Sequence, residues 1–336
     1  MIDLAAHWYR ASPWLWLLWP LSLLFCALVW LRRLAYRRGW LASHRLPVPL
    51  IVIGNITAGG SGKTPLVLYL AEQLKQRGYR PGLISRGYGG QSIQWPQPVR
   101  ADSVPQLVGD EALLLVQRSG CPMMVGPDRV AAAEALLAGQ QVDIILADDG
   151  LQHYRLGRDI EIAVLDGQRR LGNRLCLPAG PLREPPGRLN AVDFVVANGE
   201  ARAGEWAMQL QGSTLCALKG NEQLRLAALA GQRVHAVAGI GHPQRFFASL
   251  RAAGLELIEH PFGDHHPYGL GELDFADGLP VLMTEKDAVK YRLYAGAQHW
   301  YLPVQAQLDE EFMQQLLSRL PERATMPEKN HGQETA

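Results

Sequence analysis

"GNITAGGSGKTP" (Gly54–Pro65) is the stretch whose reading decides the fold. It closes in Gly62-Lys63-Thr64, as a phosphate-binding loop of pattern G-x-x-x-x-G-K-[ST] does, but Thr57 stands where that pattern has its first glycine. A loop of this kind leaves a buried strand and opens a helix, so that backbone N–H groups and the helix N-terminus face phosphate. Both flanks comply. "VPLIVIGNIT" is an apolar strand ending in a polar turn, and "PLVLYLAEQLKQRGY" has helical apolar spacing and closes at Gly78. Between Thr57, Ala58 and Ser61, the glycines Gly59, Gly60 and Gly62 allow close backbone approach. Lys63 is placed to reach terminal phosphates and Thr64 to help hold Mg²⁺. Thr57 can replace the missing glycine if its backbone is extended.

Outward from the loop, strands alternate with helices: "RPGLIS", "GDEALLLVQRSG", "CPMMVGPDRVAAAEALLAG", "VDIILADDGLQH", "DIEIAVLDG" and "AVDFVVANG". This pattern implies a parallel sheet with helices on both faces. After a transition around Ala207–Ala228, a second and smaller α/β pattern follows, "RVHAVAGIGHPQRFFASLRAAGLELIEHPF" and then "PVLMTEKDAVKY". The expected organisation is a P-loop nucleotide-binding α/β domain over 41–215, a smaller α/β domain over 216–320 and a polar, disordered tail over 321–336.

Residues 1–40 differ in kind. The run from Ala11 to Leu31 is uncharged, about as long as the ~20 residues a helix needs to cross a bilayer. Six of the nine tryptophans lie in these first forty residues, and Arg32, Arg33, Arg37 and Arg38 follow the run. A signal peptide carries its charge first, so the expectation is a membrane-anchor helix with its arginines at the cytoplasmic face; the alternative is a buried core helix. Pro20 leaves open whether the helix spans or partly inserts. A net charge of +1 across 336 residues gives no electrostatic case for nucleic acid, and the four scattered cysteines form no redox or metal spacing.

The aspartates of "DIILADDG", Asp148 and Asp149, end a buried strand, where the magnesium-side strand of a P-loop NTPase carries its acid. Ala58 stands where membrane-associated positioning ATPases carry an extra lysine, and "TEKD" (Thr284–Asp287) has the composition of a guanine-reading N-K-x-D motif in the wrong order. A kinase needs a base and a cationic cage. Polar loops offer Arg86 and Tyr88 in "SRGYGG", Asp110 in "GDE", Arg129 in "GPDR", His153 in "DDGLQH", Arg183 and Glu184 in "PAGPLREP", and His265 and His266 in "GDHHPY". Each has a plainer alternative: Asp110 as a helix N-cap, the arginines as surface ion pairs, the histidines as loop residues. "TEKD" binds nucleotide or pins a strand end.

These motifs, with "TEKDAVK", run in order from about residue 48 to 291 and together resemble the tetraacyldisaccharide 4'-kinase family, the lipid A 4'-kinases, whose phosphate loop also lacks the first glycine. The resemblance implies transfer of the ATP γ-phosphate, with Mg²⁺, to the 4'-hydroxyl of an acylated glucosamine disaccharide 1-phosphate, giving lipid IVA. It implies two α/β/α domains joined by a two-stranded hinge, with the site in the cleft. It assigns phosphate and magnesium to Lys63 and Thr64, the magnesium network to Asp149 and Asp148, and the general base to Asp110 with a histidine partner, His265 in preference to His266. Arg86, Tyr88, Arg129, Gln152, His153, Arg183 and Glu184 match other active-site positions. It also implies a bacterial inner-membrane location with the catalytic domains on the cytoplasmic face, membrane lipid as partner of the N-terminal helix, and no obligate protein partner. The competing reading is a membrane-associated P-loop ATPase acting as a switch or assembly factor.

Overall fold

The computed structural model describes residues 7–10 and 12–321, so the expected tail lies outside the described residues apart from Pro321. A 3-10 turn (Pro13–Leu18) leads into helix α1 (Trp19–Arg37). Then come β1 (Leu50–Gly54), α2 (Lys63–Gln76), β2 (Pro81–Ser85), β3 (Gln97–Val99), a short α3 (Pro105–Val108), α4 (Asp110–Ser119), β4 (Met123–Val125), α5 (Arg129–Gly139), β5 (Ile144–Asp148), β6 (Ile160–Asp166), β7 (Phe194–Asn198) and β8 (Trp206–Gln211). The second run comprises β9 (Thr214–Ala217), β10 (Gln223–Arg225), β11 (Arg233–Ala238), α6 (Pro243–Ala252), β12 (Glu256–Pro261), β13 (Val281–Thr284), α7 (Glu285–Tyr291) and β14 (His299–Leu302), and the described chain closes with β15 (Gln305–Gln307) and α8 (Glu310–Arg319).

The first sheet has the order β15-β8-β7-β6-β1-β5-β2-β4-β3 and the second β10-β9-β14-β13-β11-β12. In the first, β8 through β4 run parallel, with β1 central between β5 and β6. Alternation along β1 shows why both faces are covered: Ile51 and Ile53 pack with α2, α4 and α8, whereas Leu50 and Val52 pack with α5. The second sheet repeats the device. Val234 and Ala236 of β11 pack with α6, and Val237 packs with α7.

Two adjacent strands carry the chain between the sheets. β8 continues through Gly212-Ser213 into β9, and β14 continues through Pro303-Val304 into β15; β8 pairs with β15 and β9 with β14, both antiparallel. The expected second unit ended at residue 320, but residues 305–319 return to the first sheet, where Phe312, Met313 and Leu316 of α8 are buried in its core. A short apolar periodicity does not say which of two cores it fills.

Helix α1 lies against the body on one face only. Ser22 is buried, donating to the Cys176 carbonyl at 2.7 Å and accepting from the Ala179 N–H at 3.0 Å. Leu17, Leu21, Leu24, Leu28 and Leu31 recur at helical spacing on the opposite face and are exposed, Leu17 by 81%. The buried-core alternative is thereby set aside: only 11% of the apolar window in Pro13–Arg37 is buried. Pro20 sits in the first turn of α1, where its missing N–H has no helical partner to lose, and not at a mid-helix kink.

Candidate active site

Because β1, β2, β4, β5, β6 and β7 are parallel, the loops after them leave the same sheet edge. The register pairs Ile53 with Asp148, which brings the glycine loop and the paired aspartates side by side. Thr57 is extended, as the missing glycine requires: it bridges to Leu182, Ala58 N–H donates to the Pro181 carbonyl at 2.7 Å, and Arg183 N–H donates to the Ile56 carbonyl at 2.7 Å. The turn proper comes later. Gly62 caps α2 with φ of 93°, and a Cβ there would stand 2.3 Å from Asn198 Nδ2. Asn198 Nδ2 donates to the Ser61 carbonyl at 3.2 Å, so β7 braces the loop. Ser61 Oγ, by contrast, is buried without a partner.

Asp149 has the positive φ of 50° and turns its carboxylate toward Lys63 Nζ at 3.4 Å and Arg183 Nη1 at 3.0 Å. Burial pushes this carboxyl up, but Lys63 and Arg183 outweigh it and hold it at about 2. Its neighbour Asp148 is the reverse case. Burial first, and then the charge of Glu111, raise it to about 7, and its Oδ1 is buried without a hydrogen-bond partner. A buried acceptor of this kind is short of a cation. Among the described residues no group of three histidines, cysteines or acids could hold a metal by itself. Two carboxylates and the Thr64 hydroxyl therefore fit Mg²⁺, which commonly takes one or two protein carboxylates and completes its shell with phosphates and water.

Asp110 and His265 meet across the space between the sheets. Asp110 opens α4, whose N-cap is Gly109; its Oδ1 accepts from the Glu111 N–H of the first turn at 2.9 Å, and its two oxygens each also lie 3.0 Å from His265 Nδ1. Burial raises the Asp110 carboxyl, yet the His265 hydrogen bond and the Lys286 charge bring it below the usual range. His265 is raised chiefly by that same hydrogen bond. The Tyr88 ring lies 4.9 Å from the His265 ring. His266 points elsewhere, pairing with Glu272 at 2.8 Å, so the structure does not bring it to the dyad.

The remaining expected residues fall into two groups. Arg129 is buried with its Nε unpartnered, and the Arg86 guanidinium is close enough to depress it further after burial itself. His153 is held at about 4 by burial and by Arg129, so the ring is neutral at physiological pH. Glu184, in contrast, is 1% exposed and faces no cleft. It accepts from Gln152 Nε2 at 2.7 Å and from the Tyr154 hydroxyl, and pairs with Arg188, while Gln152 Nε2 also donates to the Asn55 carbonyl at 3.1 Å. These side chains brace the segment 181–184 against the glycine loop.

The "TEKD" motif is resolved by its contacts. Thr284 caps α7, and buried Asp287 accepts from Gly239 N–H, the Tyr268 hydroxyl and the Thr284 hydroxyl. Glu285 pairs with Arg118 of α4. Lys286 reaches Glu111 at 2.8 Å, Asp264 at 3.0 Å and His265 Nε2 at 3.2 Å. Glu111, Lys286, Asn198 and Gly241 are the residues that sequence reasoning missed. A Cβ on Gly241 would lie 2.6 Å from Gly60 N, so the loop after β11 touches the glycine loop itself. The only available signals were the acid following Asp110 and the lysine inside "TEKD".

Comparison with known proteins agrees with this geometry. The model of a family described as tetraacyldisaccharide-1-P 4'-kinase matches residues 14–321. A tetraacyldisaccharide 4'-kinase of Nitrosococcus oceani is 54% identical over 318 residues, covering 95% of this chain and 94% of that one. Its counterpart in Aeromonas salmonicida is 48% identical over 328 residues, covering 97% and 98%. The crystal structure of LpxK from Aquifex aeolicus in complex with ATP superposes with a TM-score of 0.76 at 28% identity, over 91% of this chain and 98% of that one.

Proposed function

Because the chain belongs to the tetraacyldisaccharide-1-P 4'-kinase family, and is an ATP-dependent kinase of lipid A biosynthesis acting on the disaccharide precursor, we propose how its residues divide the transfer. The two sheets act as two domains that close on ATP. Backbone N–H groups of residues 59–64 and the N-terminus of α2 hold the phosphates, with Lys63 at the terminal one, the Ala58 N–H being taken by the Pro181 carbonyl. Asp148, Asp149 and Thr64 hold Mg²⁺, which when bound neutralises charge on the phosphates. Asp110 takes the proton of the 4'-hydroxyl as its oxygen bonds to the γ-phosphorus; the bond from that phosphorus to the bridging oxygen breaks and ADP leaves. His265 Nδ1–H steadies the carboxylate. Arg86, Arg129 and Arg183 supply positive charge where the transferred group passes, and Tyr88 and neutral His153 line the sugar's approach.

The exposed leucine face of α1 enters the lipid of the bacterial inner membrane from the cytoplasmic side, with Arg32, Arg33, Arg37 and Arg38 among the headgroups. An acyl-chain substrate need not then leave the bilayer completely. The observation that carries the reading is that the Lys63–Asp149–Arg183 cluster at the edge of the first sheet adjoins the Asp110–His265 pair that bridges the two sheets, the charge of Glu111 beside Asp110 reaching Asp148. The test is transfer of label from γ-labelled ATP to purified tetraacyldisaccharide 1-phosphate in detergent with Mg²⁺. Lys63→Ala abolishes labelled lipid, and Asp110→Asn lowers kcat by roughly 10²- to 10⁴-fold while leaving the KM for ATP near its original value. Near-normal turnover in Asp110→Asn removes it as the base.

A further inference from the structure

We infer that Lys286 is a positioning residue for the Asp110–His265 dyad: its ammonium donates to His265 Nε2 and so fixes the ring in the tautomer that presents Nδ1–H to Asp110. The inference rests on the reading of Asp110 as the base, and it begins with donor counting. An ammonium carries three donors and no acceptor. Lys286 Nζ has three partners, Glu111 Oε1 at 2.8 Å, Asp264 Oδ1 at 3.0 Å and His265 Nε2 at 3.2 Å. At the third, the ring nitrogen must offer its lone pair. The proton then resides on Nδ1, which faces both Asp110 oxygens at 3.0 Å. The other tautomer would put two donors against each other at Nε2 and two lone pairs against each other at Nδ1. An Nε2–H would have no alternative acceptor in Asp264, whose Oδ1 is 3.8 Å away.

The lysine is itself held. Its side chain is 15% exposed, and it sits in the first turn of α7, which Thr284 caps and Asp287 ties to Gly239 of the loop after β11. Glu111 adjoins Asp110 on α4, so the ion pair and the dyad both grip the start of α4, one from α7 and the other from the loop after β12. The consequence for the reaction is directional. With Nε2 engaged by a cation, His265 is not the terminus of the hydroxyl proton, which leaves Asp110 as its acceptor. Lys286 hydrogen-bonds neither the Asp110 carboxylate nor, on this reading, the substrate; beyond the charge it places near Asp110, it acts through the ring.

The experiment is side-chain NMR of the full chain, ¹⁵N-labelled at histidine, in detergent at alkaline pH, above the raised titration of His265 and below that of Lys286, with the His265 signals assigned by their loss in His265→Gln. The expected result is a neutral ring protonated at Nδ1. In Lys286→Met the ring moves to the Nε2–H form or to a mixture, and kcat falls roughly 10- to 100-fold, as for a misplaced catalytic group, with the KM for ATP within about twofold. Glu111→Gln removes the ion pair but keeps the lysine at the ring, so the tautomer is retained, which separates positioning from simple bracing. Should Lys286→Met not fold, Lys286→Gln retains a donor and is expected to retain the tautomer. An Nε2–H ring or an imidazolium in the unaltered protein, or an unchanged tautomer in Lys286→Met, overturns the inference. Retained turnover in Asp110→Asn would instead overturn the base assignment, and the NMR result would be unaffected by it.

Discussion

Replacing Gly62 by alanine tests the geometry of the phosphate loop most directly. Gly62 has φ of 93°, and an added Cβ would meet Asn198 Nδ2 at 2.3 Å, where ordinary contact begins at 3.4 Å. Asn198 must retreat by about 1 Å, because the opposing side is the loop backbone. That breaks its hydrogen bond to the Ser61 carbonyl, worth about 1 kcal/mol. Holding an L-residue in the left-handed region adds roughly 1–2 kcal/mol. The total of about 2–3 kcal/mol should lower the Tm by roughly 3–4 °C in a chain of this size. If half of the strain is relieved by rotating loop N–H groups away from the phosphates, ATP affinity falls about tenfold, since 1.4 kcal/mol is a factor of ten. Differential scanning calorimetry and equilibrium ATP binding, in detergent, read the two effects. Asn198→Ala supplies the control. In the double variant the collision is gone while the backbone strain remains, so the two substitutions should couple favourably by about 1 kcal/mol. Strict additivity, or a Gly62→Ala protein with unaltered Tm and ATP affinity, would refute the contact between β7 and the loop.

Three further outcomes are expected. Asp166 is buried and, despite that burial, is held at about 2 by His242, by the N–H groups of Arg169 and Gln168, and by Arg245. A carboxyl depressed below its unfolded value stabilises above that value and loses the contribution as acid protonates it. About 2 kcal/mol, present at neutral pH, should therefore disappear between about pH 4 and pH 2, and Asp166→Asn should flatten that part of the stability curve measured by urea unfolding. Gly241→Ala should hold the loop after β11 off Gly60 N, lowering kcat roughly tenfold or more with the Tm nearly unchanged, because the contact joins the two sheets and lies in neither core; unaltered steady-state kinetics would count against closure there. Leu24→Glu with Leu28→Glu should release the protein from liposomes in a flotation assay while leaving its circular dichroism intact, both side chains being exposed in the folded chain; continued flotation would place the membrane contact elsewhere.

What the sequence made legible follows from the range over which each feature is encoded. The glycine loop was readable because strand, turn and helix N-terminus are consecutive, and the same is true of Asp148 and Asp149 at the end of a five-residue apolar strand. Thr57 could be excused its missing glycine only conditionally, since its extended backbone depends on Leu182, far along the chain. His265 and His266 could not be separated by pattern at all. Their difference lies in which of them meets Asp110, a contact between residues 155 positions apart, and the Lys286–Glu111 pair spans 175. Glu184 was legible as a member of a polar loop but not as a buried brace, because its partners Gln152, Tyr154 and Arg188 come from separate segments that only folding assembles. The division has a chemical meaning. Phosphate binding rests on a local motif within one sheet, so it can be complete before the two sheets close. The candidate base and the residues that orient it are drawn from both sheets, through Asp110 and Glu111 on one side and His265 and Lys286 on the other. On the proposed roles, ATP would be held chiefly by the first sheet, whereas removing the acceptor's proton would need residues of both, an arrangement that would limit transfer to water before the sugar arrives.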